Sequence, residues 1–407
     1  MVSKTKVTTR LRLVLLLGAF SALGPLTIDM YLPSFPQIAA DFGSKASMVQ
    51  LSLTACLIGL GLGQIIIGPL SDVHGRRKPL IYSMLLYLVA SFLCAVAPNI
   101  ILFIIARFVQ GFAASAGIVI SRAIVRDLYS GSELTKFFSL LMLVNNLFPL
   151  IAPMAGSGVI SFTTWIGIFI ALSLVGLVLV ILATLNLKET LPVQNRIQGN
   201  FGELFRGIQT LLKDRQFVGY ALAQGIMVGG VFAYVSGTPF IYQNIYGASP
   251  QLFALLFASN GISLIIGSQV VGRFNHLISE RRFLVIGLLL SGLSSLIALI
   301  VILTRGPLFG LVTPLFFFVM SIGMTSTASF SLAMQSQSKM AGSASAFLGL
   351  LPFVLGSLTS PLVGIAGEYS AVPMGVTILM TSILALLAYL GLVQRERPDL
   401  GKESSVT

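Results

Sequence analysis

Apolar residues gather into twelve runs separated by polar connections: roughly 12–33, 47–70, 79–97, 100–124, 136–159, 163–186, 216–240, 251–273, 282–303, 308–333, 343–366 and 372–393. Each is near the ~20 residues an α-helix needs to cross a bilayer core. A lipid-embedded segment must satisfy its own backbone hydrogen bonds, so runs of this length predict helices. Most connections are short, which makes sequence neighbours antiparallel and packed. The pattern predicts an all-α membrane protein with twelve transmembrane helices. The longest polar connection runs from Lys188 to Arg215 and includes the amphipathic stretch GELFRGIQTLLKD. It divides the chain into a first six-helix bundle (residues 1–190), a cytoplasmic linker (191–215) and a second six-helix bundle (216–407).

The first run closes on LGPLTIDMYLPSFP, Leu23 to Pro36, and carries a bare carboxylate, Asp29. An acid at this depth costs roughly 2.5–3.5 kcal/mol on insertion scales, so it must face a partner or a water-filled cavity. Little else in the apolar runs is acidic, which singles out Asp29 as a group whose charge can be switched. The fourth run carries an equally exceptional Arg107. Counted from the same side of the membrane, the two lie at depths that differ by only ~3 Å. They are expected to be neighbours, directly or through water. Arg107 would favour ionised Asp29, while burial favours the protonated acid.

Composition supports the membrane reading: 56% of the 407 residues are hydrophobic and only 9% are charged. A net charge of +12 would suggest nucleic acid in a soluble chain. Here 22 of the 25 basic residues fall in the tails and connections of one face. That bias places both termini in the cytoplasm and excludes a nucleic-acid partner, the charge being dispersed along loops that face anionic lipid. The basic N-terminus before a long first run reads as an uncleaved helix. Cys56 and Cys94 sit inside apolar runs and read as packing residues. No metal-ligand cluster, cofactor motif or nucleophile–base set emerges, so no enzyme is expected.

The junction after the second run, GPLSDVHGRRKPLI, returns in degraded form after the eighth as GRFNHLISERRFLV. Gly68 aligns with Gly272, Asp72 with His276, Gly75 with Ser279, Arg77 with Arg281 and Lys78 with Arg282. Internal repeats of this kind build transporters with a midplane site at the repeat interface. The first copy reads as a conformational latch. Gly68 allows close helix approach, and Asp72 can pair with Arg126 or cap a helix N-terminus. Gly75 permits a tight turn, and Arg76, Arg77 and Lys78 are expected to stay in water at the lipid surface.

GPLSDVHGRRKPL resembles the loop signature of the major facilitator superfamily. IARFVQGFAAS, around Arg107, is similar to its motif B, whose arginine is linked to proton transfer. NNLFPLIAPMAGSG, with Pro149, Ala152, Pro153 and Gly156, resembles motif C of the drug:H+ antiporter branch. PLTIDMYLPSFPQIA, SRAIVRDLYSG, ETLP and SGTPFIYQNIYGASPQLFALLFASNG are similar to the bicyclomycin/chloramphenicol resistance (Bcr/CflA) group. The resemblance implies the major facilitator fold of two pseudo-symmetric six-helix bundles. It further implies a proton-coupled antiporter in a bacterial inner membrane, working as a monomer. Such a protein exports drug-like small molecules by alternating access; the alternative is a metabolite such as a sugar or amino acid. Asp29 and Arg107 would then carry proton coupling, and Pro149, Ala152, Pro153 and Gly156 a hinge. Asn146, Tyr234, Phe257 and Asn260 are the candidate substrate contacts.

Overall fold

The computed structural model describes residues 4–129, 131–196, 209–335, 337 and 341–393. Most of the predicted amphipathic linker stretch and the side chain of Asn146 lie outside the described residues. The first half comprises α1 (Lys4–Asp29), α2 (Phe35–Asp41), α3 (Ala46–His74), α4 (Arg77–Ala95), α5 (Ile100–Leu128), α6 (Gly131–Ile160) and α7 (Trp165–Asn186). The second comprises α8 (Arg215–Phe240), α9 (Pro250–Phe274), α10 (Glu280–Leu303), α11 (Leu308–Gln335), α12 (Ala341–Thr359) and α13 (Val372–Leu392). Among the described residues, 11 helical segments are long and apolar enough to span a bilayer, and α6 adds the shorter apolar stretch Leu147–Ile160. The protein is all-α and multi-pass.

The first span departs from its predicted end near residue 33. α1 stops at Asp29, a 3-10 turn covers Leu32–Ser34, and α2 carries the helical path on to Asp41. Pro33 and Pro36 cause the break. Each lacks an N–H and each sits in the first turn of a new helical segment, where no donor is needed. Asp29 is thereby left at a helix terminus, free of the helix-interior geometry around it.

Packing repeats between the halves. In the first, α3 lies on α5, α4 on α5 and α7, and α1 on α5 and α6. In the second, α9 lies on α11, α10 on α11 and α13, and α8 on α11 and α12. Small residues set the approach: a Cβ at Gly63 would lie 2.6 Å from the carbonyl oxygen of Phe112, and one at the aligned Gly267 would fall onto that of Met320. With no hydrophobic driving force between helices in lipid, such close backbone packing supplies the cohesion. Across the halves, α6 meets α9 and α3 meets α12.

The helix ends remote from the termini are sealed across this interface. Gln50 Nε2 donates to the Ser236 carbonyl at 3.1 Å, and Gln243 Nε2 to the Pro33 carbonyl at 3.1 Å. The rings of Phe35 and Phe240 lie 5.9 Å apart at the same level.

Candidate functional site

Between the halves lies a cavity of about 300 Å³. Its wall includes Asp29 of α1, Pro149 of α6, Tyr234 and Phe232 of α8, and Phe257 and Asn260 of α9. The structure thus gathers three of the four candidate contacts around Asp29. Asn260 Nδ2 donates to Tyr234 Oη at 2.8 Å, and the Tyr234 and Phe257 rings stack with centroids 5.5 Å apart. These three side chains form one braced surface, aromatic with a polar edge. It can hold a flat or bulky apolar molecule and fix its orientation through few polar groups.

Asp29 is 6% exposed, and no described residue gives its carboxylate a hydrogen bond or an ion pair. The expected pairing with Arg107 is not made. Arg107 is fully buried on the other side of α1, where one amino group donates to the Thr27 carbonyl at 2.9 Å and the other to Gln110. Its guanidinium carbon lies 4.1 Å from the centre of the Tyr31 ring and 5.6 Å from that of Phe169. Gln110 in turn donates to Ser91 Oγ at 2.8 Å. The two charges share a level, as their depths imply, but not a face. Arg107 grips the backbone two residues before Asp29 and the ring two residues after it. Carbonyl dipoles and ring faces, worth about 2 kcal/mol or more when desolvated, take the place of a counter-ion.

The latch region is assembled differently from its expectation. Arg76 is 2% exposed, not solvated. Its guanidinium bonds Asp72 at 2.6 Å, Asp127 at 2.8 Å and Ser71 Oγ at 2.8 Å. Arg126 is exposed, so Asp72 pairs with Arg76 one helical turn away and not with Arg126. The reason is geometric: α3 ends at His74, and Gly75 at φ +85° turns the chain so that Arg76 points back between α3 and α5. Burial pulls the Arg76 pKa down, but Asp127 and Asp72 more than offset this and raise it. Only Lys78 is freely exposed; Arg77 is half-buried and donates to the Thr184 carbonyl at 2.7 Å. Gly68 packs as expected, a Cβ there lying 3.3 Å from Val119 of α5.

Glu189, after α7, does the capping assigned to Asp72. It accepts the backbone N–H groups of Arg76 at 2.8 Å and Arg77 at 3.2 Å, and those of Thr190 and Leu191 at 3.0 Å each. Burial raises its pKa, yet these N–H donors outweigh that and hold it below the ordinary carboxylate value.

Pro149 and Pro153 both fall inside α6, and Ala152 is fully buried. A Cβ at Gly156 would fall onto the carbonyl oxygen of Met30, beside Asp29. Leu150 of the same helix presses on Gly261 of α9. One helix therefore touches the Asp29 segment, the cavity and the opposite half.

The sequence profile described as Major Facilitator Superfamily matches residues 15–361. This chain belongs to that superfamily. A curated relative, the uncharacterized MFS-type transporter YdgK of Bacillus subtilis, is 51% identical over 95% of this chain and 96% of its own. The bicyclomycin resistance protein homolog of Haemophilus influenzae is 31% identical over 95% and 98%. Among solved structures, a bacterial homolog to the human lysosomal transporter Spinster superposes with a TM-score of 0.78 at 13% identity, covering 98% of this chain and 100% of that one. The superfamily's fold is thus the fold seen here, and the protein is a multi-pass membrane transporter.

Three site residues escaped the sequence reading. Asp127 lies in the quoted SRAIVRDLYSG and is an acid at the same end as the basic junction, a signal that could have paired it with Arg76. Gln64 carried no signal. Arg122, counted among the loop cations, lines the cavity wall from inside α5.

Proposed function

We propose that this superfamily member is a proton-coupled antiporter that exports drug-like small molecules by alternating access. The observation that carries the proposal is Asp29: a carboxyl that no described residue pairs, on the wall of a cavity between the two halves. Relatives named for bicyclomycin, chloramphenicol and multidrug resistance support the efflux direction. Both termini lie in the cytoplasm of a bacterium, on the inner-membrane reading of the basic loops, so the sealed Gln50–Ser236 end faces outward and the cavity is offered to the inside. The monomer suffices, because one chain supplies both halves.

Protonation of Asp29 from outside removes its negative charge and accompanies the return to the inward-ready state. Substrate entering from the cytoplasm displaces that proton inward. Each proton crossing the field releases ~2.3 kcal/mol per 100 mV, enough to sustain steep export. Arg107 acts as a positioning residue, holding the end of α1 through Thr27 and Tyr31. Gly68, Asp72, Gly75, Arg76, Arg77 and Arg126 form the latch region, with Asp127 as its fixed acid. Pro149, Ala152, Pro153 and Gly156 let α6 flex as residues 1–190 and 216–407 rock about the 191–215 linker.

The test is export in everted vesicles under a clamped pH gradient, with substrate-induced proton release as the readout. Asp29→Asn is expected to insert normally and lose all gradient-driven export. Undiminished driven export by that variant would remove the proton role.

A further inference from the structure

The same cavity that holds Asp29 holds a second charge. Arg122 lines it from α5, and with Gln64 it also lines the adjoining space of about 340 Å³ that extends toward Asp72 and Arg126. A guanidinium stays charged at any physiological pH. Among the described residues nothing neutralises this one. Its buried Nε has no hydrogen-bond partner, and none of the described carboxylates forms an ion pair with it. Three acids near this end of α5 have other partners: Asp127 and Asp72 bind Arg76, and Glu189 accepts backbone N–H groups. Arg122 is half-buried, so its donors face the cavity and are left for whatever acceptor enters it.

Asp29 and Arg122 therefore line one cavity, one able to carry a negative charge and the other a positive one, with no ion pair to each other or to any other described residue. We propose that Arg122 is an anion subsite and that the substrates are zwitterions: a carboxylate on Arg122, an ammonium on Asp29, and an apolar or aromatic body between them against Phe232, Phe257 and Phe353. A guanidinium matches a carboxylate with two parallel N–H···O bonds, giving direction as well as charge. A purely anionic molecule would meet the ionised acid unfavourably, and a purely cationic one would leave Arg122 bare. The zwitterion satisfies both, and its ammonium is the group that displaces the Asp29 proton. The inference rests on Asp29 being the proton site, and Arg122 adds the substrate's second charge.

The experiment is equilibrium binding to the purified full-length protein in detergent, at fixed pH and without any gradient. The probes are fluorescent norfloxacin, a zwitterion, its methyl ester, which keeps only the cation, and its N-acetyl derivative, which keeps only the anion. Wild type is expected to bind norfloxacin at least ~10-fold tighter than either derivative, about 1.4 kcal/mol or more. Arg122→Gln removes the difference between norfloxacin and its ester, and Arg122→Lys restores part of it. Unchanged elution and thermal unfolding show that each variant is folded. Wild type that binds norfloxacin no tighter than both derivatives, or binds none of the three saturably, overturns the proposal. So does a preference that survives in Arg122→Gln. Because no gradient is applied, this preference can hold even if Asp29 proves not to drive export, and driven export can depend on Asp29 even if the preference is absent.

Discussion

Arg76 and Asp127 meet at 2.8 Å across 51 residues of chain, and Glu280 and Ser331 meet at 2.8 Å across the same separation in the second half. The alignment that sets Gly68 against Gly272 sets Arg76 against Glu280 and Asp127 against Ser331. The junction is thus knitted twice with its polarity reversed: a buried cation between acids in one half, an acid receiving Ser331 and Gln335 in the other. Pseudo-symmetry is kept in geometry and abandoned in charge.

Removing Asp127 leaves Arg76 buried with Asp72 and the Ser71 hydroxyl, one carboxylate where there were two. Hydrogen bonds to charged groups contribute about 1.5–3 kcal/mol. Asp127→Asn is expected to lower stability by about 2 kcal/mol, read as a drop in thermal unfolding midpoint in detergent. Asp127→Glu should recover part of the loss. A midpoint equal to wild type would show that Asp72 and Ser71 satisfy Arg76.

Glu189 makes stability depend on pH with a definite sign. Its folded pKa lies below the reference value of 4.5, so its carboxylate stabilises the fold fully above that pH. The contribution fades as pH falls below 4.5 through the lower folded value. Wild type should therefore unfold at a higher temperature than Glu189→Gln at pH 7, with the gap closing as the medium is acidified. A gap that is constant with pH would assign the effect to shape alone.

Arg107→Lys keeps the charge but not the planar fork. It cannot hold the Thr27 carbonyl, bond Gln110 and lie flat over Tyr31 together. Losing a stacked contact worth about 2 kcal/mol predicts more than a tenfold fall in driven export. The measurement is initial rate at matched amounts of folded protein. Near-normal rates would mean that a point charge is all this position requires.

The sealed end at Gln50 and Ser236 can be trapped. Gln50 Nε2 and the Ser236 carbonyl meet at 3.1 Å, so both residues are changed to cysteine and joined by a short bis-methanethiosulfonate, which forms one disulfide with each thiol and releases a sulfinate from each end. Cys56 and Cys94 are fully buried and contribute little background. Linking should be efficient in resting protein and should arrest export; addition of substrate with an imposed gradient should lower its yield. Yields indifferent to cycling would argue that this end never opens.

A Cβ at Gly156 would collide with the Met30 carbonyl oxygen, and backbone cannot yield as a flexible side chain can. Overpacking of this sort costs roughly 1–3 kcal/mol. Gly156→Val should reduce both folded yield and export, whereas Gly158→Val, which meets nothing within 4 Å, should leave the yield unchanged.

The chain by itself determined the helices, the repeated junction, and the levels of Asp29 and Arg107. Lipid imposes a linear rule on length and hydrophobicity, and a charge that breaks the rule is visible wherever it falls. What the linear pattern could not carry is direction around a helix. Prolines 33 and 36 end α1 at Asp29 and turn its carboxylate to the cavity, while Arg107 lies on the opposite side of α1 among Thr27, Tyr31 and Gln110. Gly75 turns Arg76 inward, converting a basic loop residue into a buried ion-pair centre. Arg122 was hidden for a related reason: it belongs in composition to the basic end of the fourth span, yet α5 continues to Leu128 and carries it into the wall. Partners were settled by rotation and packing between helices, which no periodicity within one helix specifies.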